Sequence, residues 1–111
     1  MPGMGGPVHD PAQVRELALN EATRGITLAA EDGCWELGLT LEDVWTAVAA
    51  LDGPNCRFYK SMPSEKNTAE LFDVYDVFVG PHAIYLKYKV VTRRAGSILI
   101  VVSFKRNEHY V

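Results

Sequence analysis

The first half of the chain has apolar residues at the spacing of α-helices. Asp10 offers an N-cap and Pro11 suits the first turn, which marks the start of a first helix. Beyond Thr40 the apolar residues recur as they do on one helical face: Leu41, Val44, Trp45, Val48 and Leu51. The pattern predicts helices over residues 11–23, over about 29–37 with its end at Gly38, and after Thr40, with a short extended segment near Ile26.

From residue 56 onward the spacing changes to the alternation of β-strands. Turn-forming residues separate the segments, and strands are predicted near residues 58–62, 70–78, 84–90 and 98–105. Helices followed by a run of antiparallel strands are typical of an α+β domain. We therefore expect about three N-terminal helices to pack on one face of an antiparallel sheet of about four strands in the C-terminal half.

The last two predicted strands form a hairpin whose turn centres near Arg94. The opposed residues in that register are Tyr85 with Ser103, Lys87 with Val101, and Lys89 with Leu99. Alternation then places Tyr85, Ser103 and Lys105 on one face, with Lys105 as a diagonal neighbour of Tyr85. The opposite, apolar face is predicted to carry Ile84, Leu86, Ile100, Val102 and Phe104. A register error of one residue would separate Tyr85 from Lys105, whereas an error of two would keep them together.

Length and composition fit one folded unit. A chain of 111 residues with 48% hydrophobic content suits a single domain, assigned to residues 10–111 after a Gly- and Pro-rich leader, residues 1–9, expected to be flexible. Neither a signal peptide nor an apolar run long enough to cross a membrane is encoded, so we expect a cytoplasmic protein. Cys34 and Cys56 lack the spacing of zinc ligands or of a disulfide framework, so no metal site is predicted.

Charge is divided unequally along the chain. The first 55 residues carry two basic and nine acidic side chains, whereas residues 56–111 carry nine basic and five acidic ones, for a total of −3. A basic strand region can attract a polyanion locally while the acidic half limits indiscriminate binding. The alternative is that lysines simply protect sheet edges, as they do in many proteins.

Four motifs of the strand region resemble the MqsR family of toxins from type II toxin–antitoxin systems. They are Phe58–Met62 (FYKSM), Asp73–Tyr75 (DVY), Tyr85–Lys87 (YLK) and Leu99–Lys105 (LIVVSFK), in the family's order and nearly its spacing. A fifth match, Glu36–Leu39, precedes the third helix, and the resemblance extends over roughly residues 10–106.

This resemblance implies a RelE-like fold and a metal-independent endoribonuclease, without a cofactor, that cuts messenger RNA and arrests growth. It also implies a cognate antitoxin with a zinc-binding part and a helix-turn-helix part, through which alone the toxin meets DNA. The family's functional lysines and tyrosine correspond to Lys60, Lys105 and Tyr85, which are the expected catalytic residues. The family's functional glutamine corresponds to Phe72, which cannot make the hydrogen bonds of an amide but could stack on an unpaired base.

RNA can be cut without a metal because its 2′-hydroxyl attacks the adjacent phosphorus. Lys60 and Lys105 would stabilise the negative transition state, and Tyr85 could move a proton if nearby ammonium groups lower its pKa. RNA-binding residues are expected to be Phe72, through stacking, and Lys87, Lys89 and Arg106, through backbone contacts. Arg93 and Arg94 are further candidates for backbone contacts, although each basic residue could be an ordinary surface charge. His82 has the natural pKa for proton transfer, but an exposed turn histidine is the simpler interpretation. The alternative function is a catalytically weakened member that acts mainly by binding an antitoxin, with Phe72 as the mark of that loss.

Overall fold

Three helices and a five-stranded sheet make up the part of the chain that the computed structural model describes, residues 6–67 and 70–108. The elements in chain order are α1 (Pro11–Ala18), a 3₁₀ helix (Glu21–Thr23), β1 (Arg24–Ile26), α2 (Leu28–Glu36), α3 (Leu41–Ala49), β2 (Cys56–Pro63), β3 (Leu71–Val79), β4 (His82–Arg93) and β5 (Gly96–Arg106). The strand order is β1-β5-β4-β3-β2, with β1 parallel to β5 and the other pairs antiparallel. The α+β class is confirmed, and the fifth strand comes from the predicted extended segment.

The helix ends follow from local capping. Thr40 and Asp43 form a reciprocal capping box at the start of α3, as the sequence indicates. The first helix is shorter than predicted and ends at Ala18, because the Asn20 side chain accepts a hydrogen bond from the Ala22 backbone N–H and starts a separate 3₁₀ turn. Gly38 has a φ of 73°, the left-handed conformation that lets the chain turn sharply after α2.

The core lies between the helices and one face of the sheet. The helices contribute small and branched residues, which pack on a layer of larger strand residues. Its buried members are Val14, Ala18, Ala30, Cys34, Val44, Ala47, Val48, Leu51, Tyr75, Val77, Ile84, Leu86, Tyr88, Leu99, Val101 and Phe104. Trp45 is half-buried against this core, as predicted, and the Arg24 guanidinium lies 4.9 Å from its ring centroid. Within the described residues no helix packs on the opposite face of the sheet, the helix-free face, where side chains such as Lys60 and Lys105 are exposed.

The pairing of β4 with β5 differs from the predicted register. Tyr85 pairs with Lys105 and Lys87 with Ser103, two residues away from the prediction, so the common face of Tyr85 and Lys105 is retained. A β-bulge then leaves Val102 without a partner and pairs Tyr88 with Val101. The remaining pairs are shifted by one residue, and Lys89 opposes Ile100 rather than Leu99.

The bulge also corrects the predicted faces of β5. Leu99 and Val101 are fully buried in the core, whereas Ile100 and Val102 lie half-exposed on the other face of the sheet. Of the three β5 residues predicted to lie in the core, Ile100, Val102 and Phe104, only Phe104 does so. The helix-free face therefore carries Ile100 and Val102 in place of the predicted Leu99 and Val101.

The end of the leader contacts the sheet. The backbone N–H groups of Val8 and His9 donate to the Asp73 carboxylate over 2.9 and 2.8 Å, and Asp73 is fully buried. The first five residues of the leader lie outside the described part of the chain. Among the described residues, no helix is long and apolar enough to cross a membrane.

Candidate active site

Two lysines lie in one cross-strand row on the helix-free face. Lys60 of β2 pairs with Val74 of β3, Val74 pairs with Lys87 of β4, and Lys87 pairs with Ser103 of β5. Paired residues in adjacent strands point to the same side of a sheet. Lys60 and Lys87 are therefore separated by only one strand.

The next row along the sheet holds Tyr85 and Lys105. These two residues are direct cross-strand partners, and the Lys105 ammonium lies 5.4 Å from the centroid of the Tyr85 ring. Together with Arg106, they line a cavity of about 290 Å³ at the end of β5. Lys60, Tyr85 and Lys105, the three expected catalytic residues, thus lie on one face with Lys87 among them.

Lys87 is the most constrained of these lysines. Its ammonium lies 5.0 Å from the centroid of the Phe72 ring, and its side chain is half-buried. Burial lowers the pKa of Lys87, and the positive charges of Lys105 and Lys60 lower it further, whereas Glu65 acts in the opposite direction. A lowered pKa increases the fraction of neutral amine, which suits this residue to accept a proton.

The pKa of Tyr85 is shifted in the direction opposite to the one that proton acceptance requires. Burial raises the pKa of Tyr85, and the neighbouring Tyr59 raises it further. The phenol therefore stays protonated at neutral pH, so it is suited to donating a proton and not to accepting one. The condition that nearby ammonium groups lower this pKa is not met, because desolvation and the neighbouring Tyr59 both raise it.

Tyr59 joins the site through a second β-bulge. Phe58 pairs with Tyr75 and Lys60 with Val74, which leaves Tyr59 as the extra residue between them. Its exposed ring lies 5.2 Å from the Lys60 ammonium. Strict alternation along FYKSM places Tyr59 and Lys60 on opposite faces, so sequence reasoning missed this tyrosine.

The other predicted contact residues occupy distinct places. Phe72 lies on β3 beneath Lys87 and is 9% exposed, so the outer side of its ring is largely covered. Lys89 forms an ion pair with Glu70 over 3.0 Å, which offsets part of its charge. Arg106 lies at the exposed end of β5, where it lines the cavity that contains Tyr85 and Lys105.

Buried carboxylates hold β2 and β5 against β3. Asp73 accepts a hydrogen bond from the Ser61 hydroxyl, so the serine of FYKSM has a structural role beside Lys60. Asp76, the cross-strand partner of Tyr85, accepts a hydrogen bond of 2.7 Å from the buried Asn107 amide and forms an ion pair with Arg57. Lys60, Lys87 and Lys105 together form the lysine cluster of this face. The contacts of Asp73 and Asp76 fix the backbone on both sides of it.

His82 lies apart from the lysine cluster. It is the first residue of β4, half-buried, and lines a separate cavity of about 500 Å³ with Gly33 and Glu36 of α2. Within residues 6–67 and 70–108, no group of three or more His, Cys, Asp or Glu side chains could hold a metal ion.

The fold and the site define a small α+β protein whose helix-free sheet face carries a cluster of lysines and tyrosines. A family model described as "Motility quorum-sensing regulator, toxin of MqsA" matches residues 6–106. The chain belongs to this family, and it is the toxin of a toxin–antitoxin system, with an antitoxin as its partner. A comparison with curated proteins gives no match.

Proposed function

We propose that this toxin is a metal-independent endoribonuclease that cuts messenger RNA in the cytoplasm and thereby arrests growth. The observation that carries the proposal is the convergence of Lys60, Tyr85, Lys87 and Lys105 on one face of the sheet. Two ammonium groups, those of Lys60 and Lys105, beside a phenol suit a phosphate ester, because its oxygens accept charge-assisted hydrogen bonds and become more negative as it reacts.

The reaction needs only the RNA itself as the nucleophile. The 2′-oxygen forms a bond to phosphorus, the bond from phosphorus to the 5′-oxygen breaks, and the products are a 2′,3′-cyclic phosphate and a 5′-hydroxyl. Lys60 and Lys105 flank the site and would stabilise the extra negative charge on the phosphoryl oxygens. Removing one such donor from a preorganised site typically lowers the rate by about 10²–10³-fold.

Two groups with opposite pKa shifts would move the protons. Lys87, whose pKa is lowered, would accept the proton of the 2′-hydroxyl as a neutral amine. Tyr85, whose pKa is raised, would donate its phenolic proton to the leaving 5′-oxygen. Exchange with water then restores the neutral amine and the phenol. Pairs of groups whose environments separate their pKa values are typical of acid–base catalysis.

Binding of the RNA chain would use the remaining charges of this face. Lys89 lies beside the cluster on this face and would contact a phosphate. Arg106 would reach a phosphate from the end of β5, where it lines the cavity that contains Tyr85 and Lys105. The Phe72 ring would support Lys87 from below. We further propose that the antitoxin is a zinc-binding protein with a helix-turn-helix part, and that this toxin meets DNA only through it.

The test is incubation of the purified toxin with a defined messenger RNA in EDTA, followed by mapping of the cut ends. We expect discrete cuts that end in 2′,3′-cyclic phosphates, and a loss of about 10²-fold or more for Lys60→Ala, Tyr85→Phe and Lys105→Ala. The matched control is Arg15→Ala, which removes an exposed positive charge from α1 on the helix side.

Two outcomes would overturn the proposal. The absence of discrete cuts by the wild-type toxin would refute the nuclease function, and an absolute need for a divalent metal would refute the mechanism. An equal loss of activity in Arg15→Ala would show that general positive charge, not the cluster, controls the rate.

A second function is favoured by one observation, the phenylalanine at position 72. No amide replaces the family's glutamine there, and the Lys87 ammonium covers the Phe72 ring. A toxin weakened by this change would bind its antitoxin without cutting RNA. In that case Phe72→Gln should restore cutting, whereas a nuclease that already uses Phe72 should lose activity with the same substitution.

A further inference from the structure

A groove of about 550 Å³ runs beside the lysine cluster on the helix-free face. Its apolar lining comes from Met62, Phe72, Ile100 and Val102, and Lys87 stands at the boundary between the groove and the cluster. The volume lies within the range of small-ligand sites, about 300–1,000 Å³. A mainly apolar lining is unexpected beside a set of lysines that would bind phosphate.

The β5 bulge decides which aliphatic residues of β5 join this lining. Because Val102 is inserted between the partners of Lys87 and Tyr88, Ile100 and Val102 face the groove while Leu99 and Val101 face the core. Regular pairing from Lys105 onward would instead turn Leu99 and Val101 to this face. Bulges often re-aim side chains beside functional sites.

We propose that this groove binds one base of single-stranded RNA, the base next to the phosphate that is cut. The inference rests on the proposed nuclease function. An unpaired base is flat and apolar on both faces, which matches an aliphatic and aromatic lining, and its phosphate would meet the ammonium groups of Lys60 and Lys105 beyond the boundary. The continuity of the groove with the lysine cluster and the positive charge at that end favour a nucleic acid over an apolar peptide.

The polar groups of the groove indicate which bases fit. Glu70 and Lys89 line it and form an ion pair with each other over 3.0 Å, at 28% and 22% side-chain exposure. A carboxylate accepts hydrogen bonds from the amino group of a base, and an ammonium donates to ring or carbonyl acceptors. Cytosine, adenine and guanine carry such an amino group and uracil does not, so the groove should prefer the first three.

The test observes the groove directly, without catalysis. Toxin with labelled Met, Ile and Val methyl groups is titrated with CMP, AMP, GMP and UMP and followed by NMR. We expect shifts at the methyl groups of Met62, Ile100 and Val102, larger for CMP, AMP and GMP than for UMP. The methyl groups of Ile98 serve as the control, because Ile98 lies on the same face of β5 but outside the groove.

Two variants connect the groove to the cutting of RNA. Val102→Trp fills the groove and should raise the KM for RNA by at least tenfold with little change in kcat, while Ile98→Trp should leave both unchanged. Glu70→Gln should remove the preference for CMP over UMP in the NMR titration. Thermal unfolding of each variant shows whether it is folded. If Val102→Trp is not folded, the NMR titration of Glu70→Gln still tests the base site.

Each result decides between the two proposals. No methyl shifts with any nucleotide would overturn the base site, whether or not the toxin cuts RNA. Shifts together with an unaltered KM in Val102→Trp would also overturn it, because the groove would then bind free nucleotides apart from the substrate. Shifts in a toxin that never cuts RNA would leave the base site standing and count only against the nuclease function. Lys105→Ala should show the same shifts as the wild type, because Lys105 does not line the groove.

Discussion

Gly33 determines how closely α2 can approach the strand that carries Lys105. A Cβ at this position would lie 2.2 Å from the Phe104 carbonyl oxygen and 3.3 Å from the Lys105 Cβ. Real Cβ contacts almost never fall below 3.0 Å, so Gly33→Ala requires α2 and β5 to separate by at least about 0.8 Å, the difference between 3.0 and 2.2 Å. The obstructing atom belongs to the backbone and cannot rotate away.

Two opposing contributions set the magnitude. Alanine in place of glycine within a helix stabilises it by about 1 kcal/mol. Overpacking of a close contact costs about 1–3 kcal/mol, and a clash with a backbone carbonyl belongs at or above the upper end. The expected result is a net loss of about 2 kcal/mol in the free energy of unfolding, or roughly 8 °C in Tm for a chain of this size.

Urea unfolding followed by circular dichroism measures this loss, and Gly25→Ala is the matched control. A Cβ on Gly25 would lie 4.0 Å from the Leu99 carbonyl oxygen, an ordinary contact, so its stability should change by less than about 0.5 kcal/mol. We also expect Gly33→Ala to cut RNA more slowly than its folded fraction predicts, because β5 must move. A Gly33→Ala protein as stable as the wild type, or more stable, would refute the close approach of α2 to β5.

Four further predictions follow from the site and its supports. The rate of cutting should rise with pH along a limb that lies below the ordinary pKa of lysine, and Lys87→Gln should remove that limb in a pH–rate profile. Burial raises the pKa of Tyr75 from 10.0 to about 12. The protonated Tyr75 phenol therefore contributes fully to stability below pH 10, and this contribution is lost as the pH rises toward 12. Tyr75→Phe should flatten this decline in stability, measured by urea unfolding. Asp73→Ala should cost about 2–3 kcal/mol of stability, measured in the same way, because the N–H groups of Val8 and His9 and the Ser61 hydroxyl lose the acceptor that the buried carboxylate provides. Deletion of Val102 closes the β5 bulge while keeping the Tyr85–Lys105 pair, so it should raise KM and spare kcat.

The elements of the fold could be predicted because their signals are local. The N-cap at Asp10, the capping box at Thr40 and the alternation of β4 all correspond to the observed helices and strands. The first helix was predicted too long because residues 20–23 suit a helix in composition, and only the Asn20 cap interrupts it.

The faces of β5 could not be predicted for a physical reason. From Ile98 to Val102 every residue is aliphatic, so no polar residue marks which face is buried and no period of two can be recognised. The position of the extra residue is then decided by packing against the helices, which the local sequence does not encode. The shared face of Tyr85 and Lys105 could be predicted because both flank that uniform run.

Both β-bulges lie at the candidate site, and each changes what the helix-free face presents. In β2 the bulge adds Tyr59 beside Lys60, and in β5 it adds Val102 beside Ser103. An extra residue can be accommodated on this face because no helix packs against it, whereas the core face must remain regular to stay filled. Stability and function therefore depend on different faces of the sheet. Packing against the helices stabilises the fold, whereas single inserted residues on the helix-free face alter the groups that would contact RNA.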